Sequence, residues 1–128
     1  MFKKVAQKKM KLNHINLVVQ DVAGASRFFE TWFGFRCIEI KGENIVAILK
    51  GDNDFTLVLM KSKESEVSYP SAFHIGFMQP GKEQVIELHK KLQTAGLIGN
   101  QEPKKIRDSF GFYFAYENIM IEVGCYTE

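Results

Sequence analysis

The feature of this 128-residue sequence that most restricts its fold is a strand-and-helix unit that occurs twice. A strand-like segment at 12–20 precedes a helix-like segment at 21–34, and both recur at 71–79 and 81–96. Each strand carries a histidine near its start, and His14 and His74 are 60 residues apart (74 minus 14). A repeat of this length indicates a duplicated supersecondary unit, because neither half alone would bury much apolar surface.

Three further strand-like segments follow each predicted helix. Asp21 is a favourable residue before a helix, while Gly34 and Gly96 are typical of helix ends. The short apolar segments have turn residues between them, which is typical of strands. They lie at 35–40, 45–49 and 55–60 in the first half, and at 104–106, 111–116 and 119–123 in the second. The sequence therefore predicts an α+β protein made of two βαβββ modules.

The predicted organisation has four parts. A basic arm at 1–11 contains five lysines and precedes module one at 12–60. A polar linker at 61–70 separates it from module two at 71–124. No segment has the features of a secretory signal or a membrane span. The net charge of +2 is too small to indicate a nucleic-acid partner. Cys37 and Cys125 match no disulfide or metal spacing, so we expect free thiols and a cytoplasmic protein.

Two histidines and one carboxylate are the candidate metal ligands. His14 and His74 occupy equivalent places in the repeat, and Glu122 lies in the last predicted strand. The neighbours of Glu122 on either side are apolar and belong to the other face of that strand, so Glu122 points away from the helix-packed core. Imidazole and carboxylate together suit a divalent transition metal.

Three segments of the chain resemble the vicinal oxygen chelate superfamily. They read LNHINLVVQDVAGASRFFETWFGF at 12–35, AFHIGFM at 72–78 and FYFAYENIMIEV at 112–123. This superfamily includes glyoxalase I, fosfomycin-resistance proteins, extradiol dioxygenases and bleomycin-resistance proteins. The resemblance implies a glyoxalase-like fold, in which two βαβββ modules form an incomplete barrel within a single domain.

The resemblance also implies roles for individual residues. His14, His74 and Glu122 match the ligands of a divalent ion (Fe, Mn, Ni or Zn), and Glu122 is in addition the candidate catalytic residue. The fourth ligand position falls on Val58, or on Thr56 or Met60 if the register shifts by two. None of these three is a good ligand for such an ion, so the four-ligand pattern of glyoxalase I is not met.

Three more residues are candidates for substrate binding. Asn16 shares a strand face with His14, and Tyr113 matches an aromatic residue of the family that faces the ligand. Arg107, in the loop before the terminal hairpin, has the planar guanidinium that binds carboxylates and phosphonates. The remaining histidine, His89, has charged neighbours in its predicted helix, and we expect it to be exposed.

Two functions from different classes remain open at this point. The first is a metal-dependent lyase, isomerase or dioxygenase that acts on a small oxygen-chelating substrate. The second is a metal-free protein that binds or sequesters a ligand such as a drug, similar to bleomycin-resistance proteins. The resemblance implies a homodimer in either case. It leaves open whether His14 and His74 of one chain serve one site or two different sites of the dimer.

Overall fold

The computed structural model describes residues 9–127 of the chain, which form two compact units that meet at Lys63 and Glu64. Most of the predicted basic arm falls on residues 1–8 and lies outside the described residues. Each unit contains four strands and one α-helix, in the order βαβββ. In the described part of the chain, no helix combines the length and apolar character needed to cross a bilayer.

The first unit is a four-stranded sheet with one helix. Its elements are β1 (His14–Val19), α1 (Val22–Phe33), β2 (Arg36–Lys41), β3 (Val46–Lys50) and β4 (Thr56–Lys61), with a short 3₁₀ turn at Asp52–Asp54. The strands lie in the order β1-β4-β3-β2. β1 runs parallel to β4, and the other neighbours are antiparallel.

Helix α1 begins and ends as its sequence predicts. The carboxylate of Asp21 accepts a hydrogen bond from the backbone N–H of Gly24 at 3.0 Å. This bond is the main reason that the pKa of Asp21 lies below its ordinary value. Asn44, from the β2–β3 turn, accepts a second bond from the Ala23 N–H at 2.6 Å. Gly34 ends the helix in the left-handed conformation, which glycine adopts at little cost.

The second unit repeats the first in topology. Its elements are β5 (His74–Met78), α2 (Lys82–Thr94), β6 (Lys104–Ile106), β7 (Ser109–Tyr116) and β8 (Ile119–Tyr126). The strand order is β5-β8-β7-β6, and β5 is parallel to β8. Glu117 and Asn118 form the tight β7–β8 turn, and both have positive φ. Asparagine tolerates this conformation better than most residues do.

Each sheet buries one face against the helix of its own unit. In the first unit this face carries Leu17, Val19, Ala47, Leu49, Leu57 and Leu59, all of them buried. In the second unit it carries Phe112, Phe114, Ile119, Ile121 and Val123. Because side chains alternate along a strand, the intervening residues lie on the opposite face, which we call the helix-free face of each sheet. The predicted α+β fold with two βαβββ modules is confirmed.

Two details of the prediction are corrected. β1 begins at His14 rather than residue 12, and β7 and β8 each extend beyond their predicted hairpin limits. His89 is not exposed, because only 2% of its surface remains accessible. Its Nε2 donates a hydrogen bond to the backbone carbonyl of Gln101 at 2.6 Å, and its ring packs edge-on against Phe112. The charged neighbours of His89 face solvent, whereas His89 itself faces the sheet.

Candidate metal centre

His74 and Glu122 lie side by side on the helix-free face of the second sheet. His74 begins β5, and Glu122 lies on the adjacent parallel strand β8, where its partner in the register is Gly76. The imidazole Nε2 and the carboxylate Oε1 are 3.5 Å apart. The two side chains are 44% and 20% exposed, so the pair is open to a ligand from solvent. Gly76 has no side chain to fill the space beside Glu122.

The hydrogen bond of the His74 ring shows which nitrogen is available to a metal. Nδ1 lies 3.1 Å from the backbone carbonyl of Ala72, which can only accept, so Nδ1 carries a proton and donates it. In the neutral ring, Nε2 then presents its lone pair towards Glu122. A lone pair that faces a carboxylate needs a cation or a proton between the two. A backbone carbonyl that binds the other ring nitrogen is a typical support for a metal-ligating histidine.

The distance between the two donor atoms suits a shared ion. Bonds from nitrogen and oxygen ligands to zinc are about 2.0–2.2 Å long. Two such ligands at a right angle are about 3.0 Å apart, and at a tetrahedral angle about 3.4 Å. The observed 3.5 Å is close to the tetrahedral value and requires only a small side-chain adjustment for either geometry. The donor types and their spacing therefore fit a divalent ion.

Tyr113 completes this cluster from the neighbouring strand β7. Its register partner is Glu122, and its hydroxyl is hydrogen-bonded to that carboxylate. Its ring meets the His74 ring edge-on, with 5.8 Å between centroids. Partial burial, together with the negative charge of Glu122, raises the pKa of Tyr113 above its ordinary value. The side chain is thus a neutral phenol near neutral pH, and its one O–H proton is directed to Glu122.

His14, in the first unit, has the same tautomer as His74. Its Nδ1 donates a hydrogen bond to the side-chain oxygen of Asn13 at 2.7 Å, which leaves Nε2 for a ligand. Both histidines therefore have the tautomer that binds a metal through Nε2. Asn16 lies two residues farther along β1, on the same face, and is exposed. Neither side chain has moved into the helix-packed core.

The registers of the two units identify the position in unit one that corresponds to Glu122. His74 pairs with Met120 and Gly76 with Glu122, whereas His14 pairs with Thr56 and Asn16 with Val58. Val58 therefore occupies the place of Glu122, as the sequence alignment indicated. Within residues 9–127, no group of three His, Cys, Asp or Glu side chains lies within reach of one ion. The structure brings His74 and Glu122 together in the second unit, whereas His14 lies in the first unit.

A cleft of about 440 Å³ adjoins Glu122 and Tyr113. Arg107 forms part of its rim, in the β6–β7 turn, and adopts a positive φ. The sequence prediction missed four other lining residues: Ile106, Asp108, Ser109 and Tyr126. Tyr126 had a detectable signal, because it lies four residues after Glu122 on an alternating strand. Gly111 keeps β7 close to β8 beside this cleft, since a methyl group there would collide with the backbone of Val123 and Gly124.

Comparison with known proteins gives the family. The family model for the Glyoxalase/Bleomycin resistance protein/Dioxygenase superfamily matches residues 11–122. The chain belongs to this superfamily. Among curated proteins, none matches the chain significantly.

Solved structures of this superfamily share the fold. A possible glyoxalase from Bacillus cereus is 39% identical, with a TM-score of 0.79 over 91% of this chain and 100% of that chain. The fosfomycin resistance protein FosX from Listeria monocytogenes is 20% identical, with a TM-score of 0.72 over 94% and 96% of the two chains. A lactoylglutathione lyase from Agrobacterium tumefaciens is 16% identical, with a TM-score of 0.71 over 93% and 96%. The last two likenesses concern the fold alone.

Proposed function

We propose that this superfamily member is a metal-dependent enzyme that acts on a small substrate with two adjacent oxygens. His14, His74 and Glu122 would hold one divalent ion. The observation that carries this proposal is the pair formed by His74 and Glu122, in which two acceptor atoms face each other at 3.5 Å. The opposite ring nitrogen is already bound to a carbonyl, so the face towards Glu122 is left for an ion.

Family membership supports a divalent ion as the cofactor, because members of this superfamily typically use divalent metals. Two imidazoles and one carboxylate suit Fe(II), Mn(II), Ni(II) or Zn(II). A three-ligand set leaves coordination positions open for the substrate. An ion held there would stabilise negative charge that develops on a substrate oxygen.

The residues around the ligands have complementary roles in the proposal. Glu122 holds the ion and is the group nearest to it that can accept a proton. Tyr113 would turn its one O–H proton from Glu122 to a substrate oxygen when Glu122 binds the ion, because its raised pKa keeps the phenol protonated. Arg107, at the rim of the cleft, binds a carboxylate or phosphonate of the substrate, and Asn16 contributes an amide beside His14. Lyase, isomerase and dioxygenase reactions can all begin from this chelate complex.

One observation favours a second function. Val58 occupies the fourth ligand position of the duplicated fold and has no donor atom. If the other proposed metal ligands have also lost metal binding, the cleft beside Tyr113 and Tyr126 is still present. The aromatic rings of these two residues suit a planar or cationic small molecule. The alternative is therefore a metal-free protein that binds or sequesters a ligand, similar to bleomycin-resistance proteins.

Elemental analysis of untagged protein, purified without chelator, separates the two functions. We expect near-stoichiometric metal in the wild type and loss of that metal in Glu122→Ala, His74→Ala and His14→Ala. Glu87→Ala is the matched control, since Glu87 is an exposed carboxylate of the same unit that pairs with Lys91. Absence of metal, even after incubation with Mn, Fe, Ni and Zn, would overturn the enzyme proposal and favour the ligand-binding one.

Two further expectations remain proposals. We propose that the protein is a homodimer, which light scattering during size-exclusion chromatography would test. We also retain the cytoplasmic location as a prediction. Cys37 and Cys125 are both free thiols, as expected in a reducing compartment.

A further inference from the structure

A row of polar side chains crosses the helix-free face of the first sheet at its His14 end. His14 on β1 pairs with Thr56 on β4, Thr56 pairs with Lys50 on β3, and Lys50 pairs with Arg36 on β2. Register partners in a sheet point to the same face, so these four side chains form one line across all four strands. We call this line the His14 row.

The ammonium group of Lys50 is held by Thr56, the register partner of His14. Lys50 is half-buried, and its Nζ donates a hydrogen bond to the hydroxyl of Thr56 at 2.6 Å. The charge therefore lies over β4, the strand next to His14, rather than over β3. Because neighbouring strands are about 4.8 Å apart, the ammonium is roughly one strand spacing from the strand of His14.

The two cations of the His14 row have no carboxylate partner in the described part of the chain. Neither Lys50 nor Arg36 takes part in the close contacts of His74 with Glu122 or of Lys91 with Glu87. The Thr56 hydroxyl accepts a hydrogen bond from one of the three N–H groups of the Lys50 ammonium. The other two N–H groups of the half-buried ammonium are thus available to an oxygen ligand. The N–H groups of the Arg36 guanidinium are available as well.

Two cations lie in this row, whereas the adjacent row of the first sheet and the equivalent row of the second sheet have none. The next row on the same face consists of Asn16, Val58, Ile48 and Glu39, and carries no cation. In the second unit the equivalent row begins with His74, Met120 and Ala115, and also has no cation. The duplicated fold therefore has this feature in one copy only, and the general architecture does not require it.

We propose that the His14 row is an anion subsite, in which Lys50 and Arg36 bind a carboxylate or phosphate group of the substrate. A planar guanidinium and a positioned ammonium are the side chains that bind such groups in proteins. The assignment of this anion to the substrate rests on the proposed function, because His14 at the end of the row is a proposed metal ligand. The substrate class becomes a small anionic compound whose chelating oxygens lie next to its acidic group.

Anion binding by the chelator-treated full chain tests the subsite without the metal. Inorganic phosphate and acetate are titrated separately at constant ionic strength, with backbone amide shifts as the readout. We expect saturable shifts along the His14 row for at least one of the two anions, which identifies the preferred group. Lys50→Met and Arg36→Gln should each weaken this binding by about tenfold, because each removes a charge-assisted hydrogen bond.

Three variants complete the design. Lys41→Gln removes an exposed cation from the same strand as Arg36 but outside the row, and should leave anion binding unchanged. Lys50→Arg keeps the positive charge and should retain most of the anion binding. Thr56→Val should weaken anion binding less than Lys50→Met does. Thermal unfolding of each variant identifies any that fails to fold, and the other substitutions then carry the test.

The outcomes separate this inference from the metal proposal. No saturable shift with either anion, or equal affinity in wild type and Lys50→Met, would overturn the anion subsite. Metal content is measured independently on protein purified without chelator. Loss of metal binding with intact anion binding would overturn the proposed function alone.

Discussion

Nε2 of His74 and Oε1 of Glu122 lie 3.5 Å apart on neighbouring parallel strands, and the other ring nitrogen of His74 is bound to the carbonyl of Ala72. The first unit has the same strand pair in the same register, with His14 in the place of His74 and Val58 in the place of Glu122. The duplicated backbone is therefore retained in both units, while a carboxylate is present at this position in only one.

This comparison predicts that a second ligand pair can be built in the first unit. Gly76 lies beside Glu122, whereas Asn16 lies beside Val58, so the equivalent pair needs both Val58→Glu and Asn16→Gly. We expect this double variant to bind Mn(II) or Zn(II) about tenfold more tightly than wild type, because an added carboxylate raises the ligand charge of the site. Competition with a metal-sensitive dye measures the affinity.

The matched control for this variant is Val58→Gln with Asn16→Gly. It has nearly the same shape but no added negative charge, so its metal affinity should stay close to that of wild type. An equal gain in both double variants would show that side-chain space, rather than the carboxylate, accounts for the effect. Unchanged affinity in the Glu variant would contradict the equivalence of the two positions.

Tyr113 gives a pH-dependent prediction for the metal-free protein. Its pKa is raised above 10.0 in the folded state, by partial burial first and by Glu122 second. The unfolded chain therefore releases the phenol proton at a lower pH than the folded chain does. Between pH 10.0 and the raised pKa, this difference lowers the free energy of unfolding as the pH rises. Denaturant unfolding of wild type and Tyr113→Phe at several pH values should show this contribution in the wild type only.

The same pKa can be followed directly through the ultraviolet absorbance of the phenolate. In Glu122→Gln the pKa of Tyr113 should move down towards its ordinary value, because the neighbouring negative charge is gone. Part of the increase should remain, since burial is its largest cause. A Tyr113 pKa identical in wild type and Glu122→Gln would show that the carboxylate has no effect on the phenol.

Much of the candidate site could be predicted from strand alternation. The alternation of apolar residues around Glu122 placed that side chain on the helix-free face, and the repeat placed His14 and His74 at equivalent strand starts. The His14 row could not be predicted in this way. Its partners come from four strands, and an irregularity between Cys37 and Glu39 shifts the register of β2 against β3. Local sequence contains no signal for such a shift.

His89 shows how a reading of neighbours can mislead. The adjacent charged residues suggested exposure, yet His89 follows Val85 by four positions and precedes Leu92 by three. This spacing is that of one buried helix face, and all three residues are buried. The helical period was therefore the better guide, and the hydrogen bond to Gln101 satisfies the buried ring nitrogen.

We expect His89→Ala to lower the free energy of unfolding by about 2–4 kcal/mol, because it creates a cavity beside Phe112 and removes the partner of the Gln101 carbonyl. Urea unfolding monitored by circular dichroism measures the change. Lys90→Ala, at the adjacent exposed position, is the control and should stay within about 0.5 kcal/mol of wild type. A change of similar size in both variants would mean that helix propensity, rather than burial, controls stability here.

Mixed dimers test whether His14 of one chain serves the same ion as His74 and Glu122 of another. Chains with His14→Ala and chains with Glu122→Ala are coexpressed with different tags, and the mixed dimer is isolated. If the ligands come from two chains, one site of that dimer lacks both His14 and Glu122. The other site is intact, with His14 from one chain and with His74 and Glu122 from the other. We expect this intact site, because a two-fold dimer exchanges equivalent surfaces between its subunits.

The measurement is the metal content of the mixed dimer beside that of each single-variant dimer. Both single-variant dimers should be free of metal, and the mixed dimer should bind one ion in its intact site. A mixed dimer without metal would show that each site takes His14, His74 and Glu122 from a single chain. Metal in the His14→Ala dimer, with none in the Glu122→Ala dimer, would remove His14 from the ligand set. His74 and Glu122 would then be the protein ligands, and the substrate would supply the remaining oxygens.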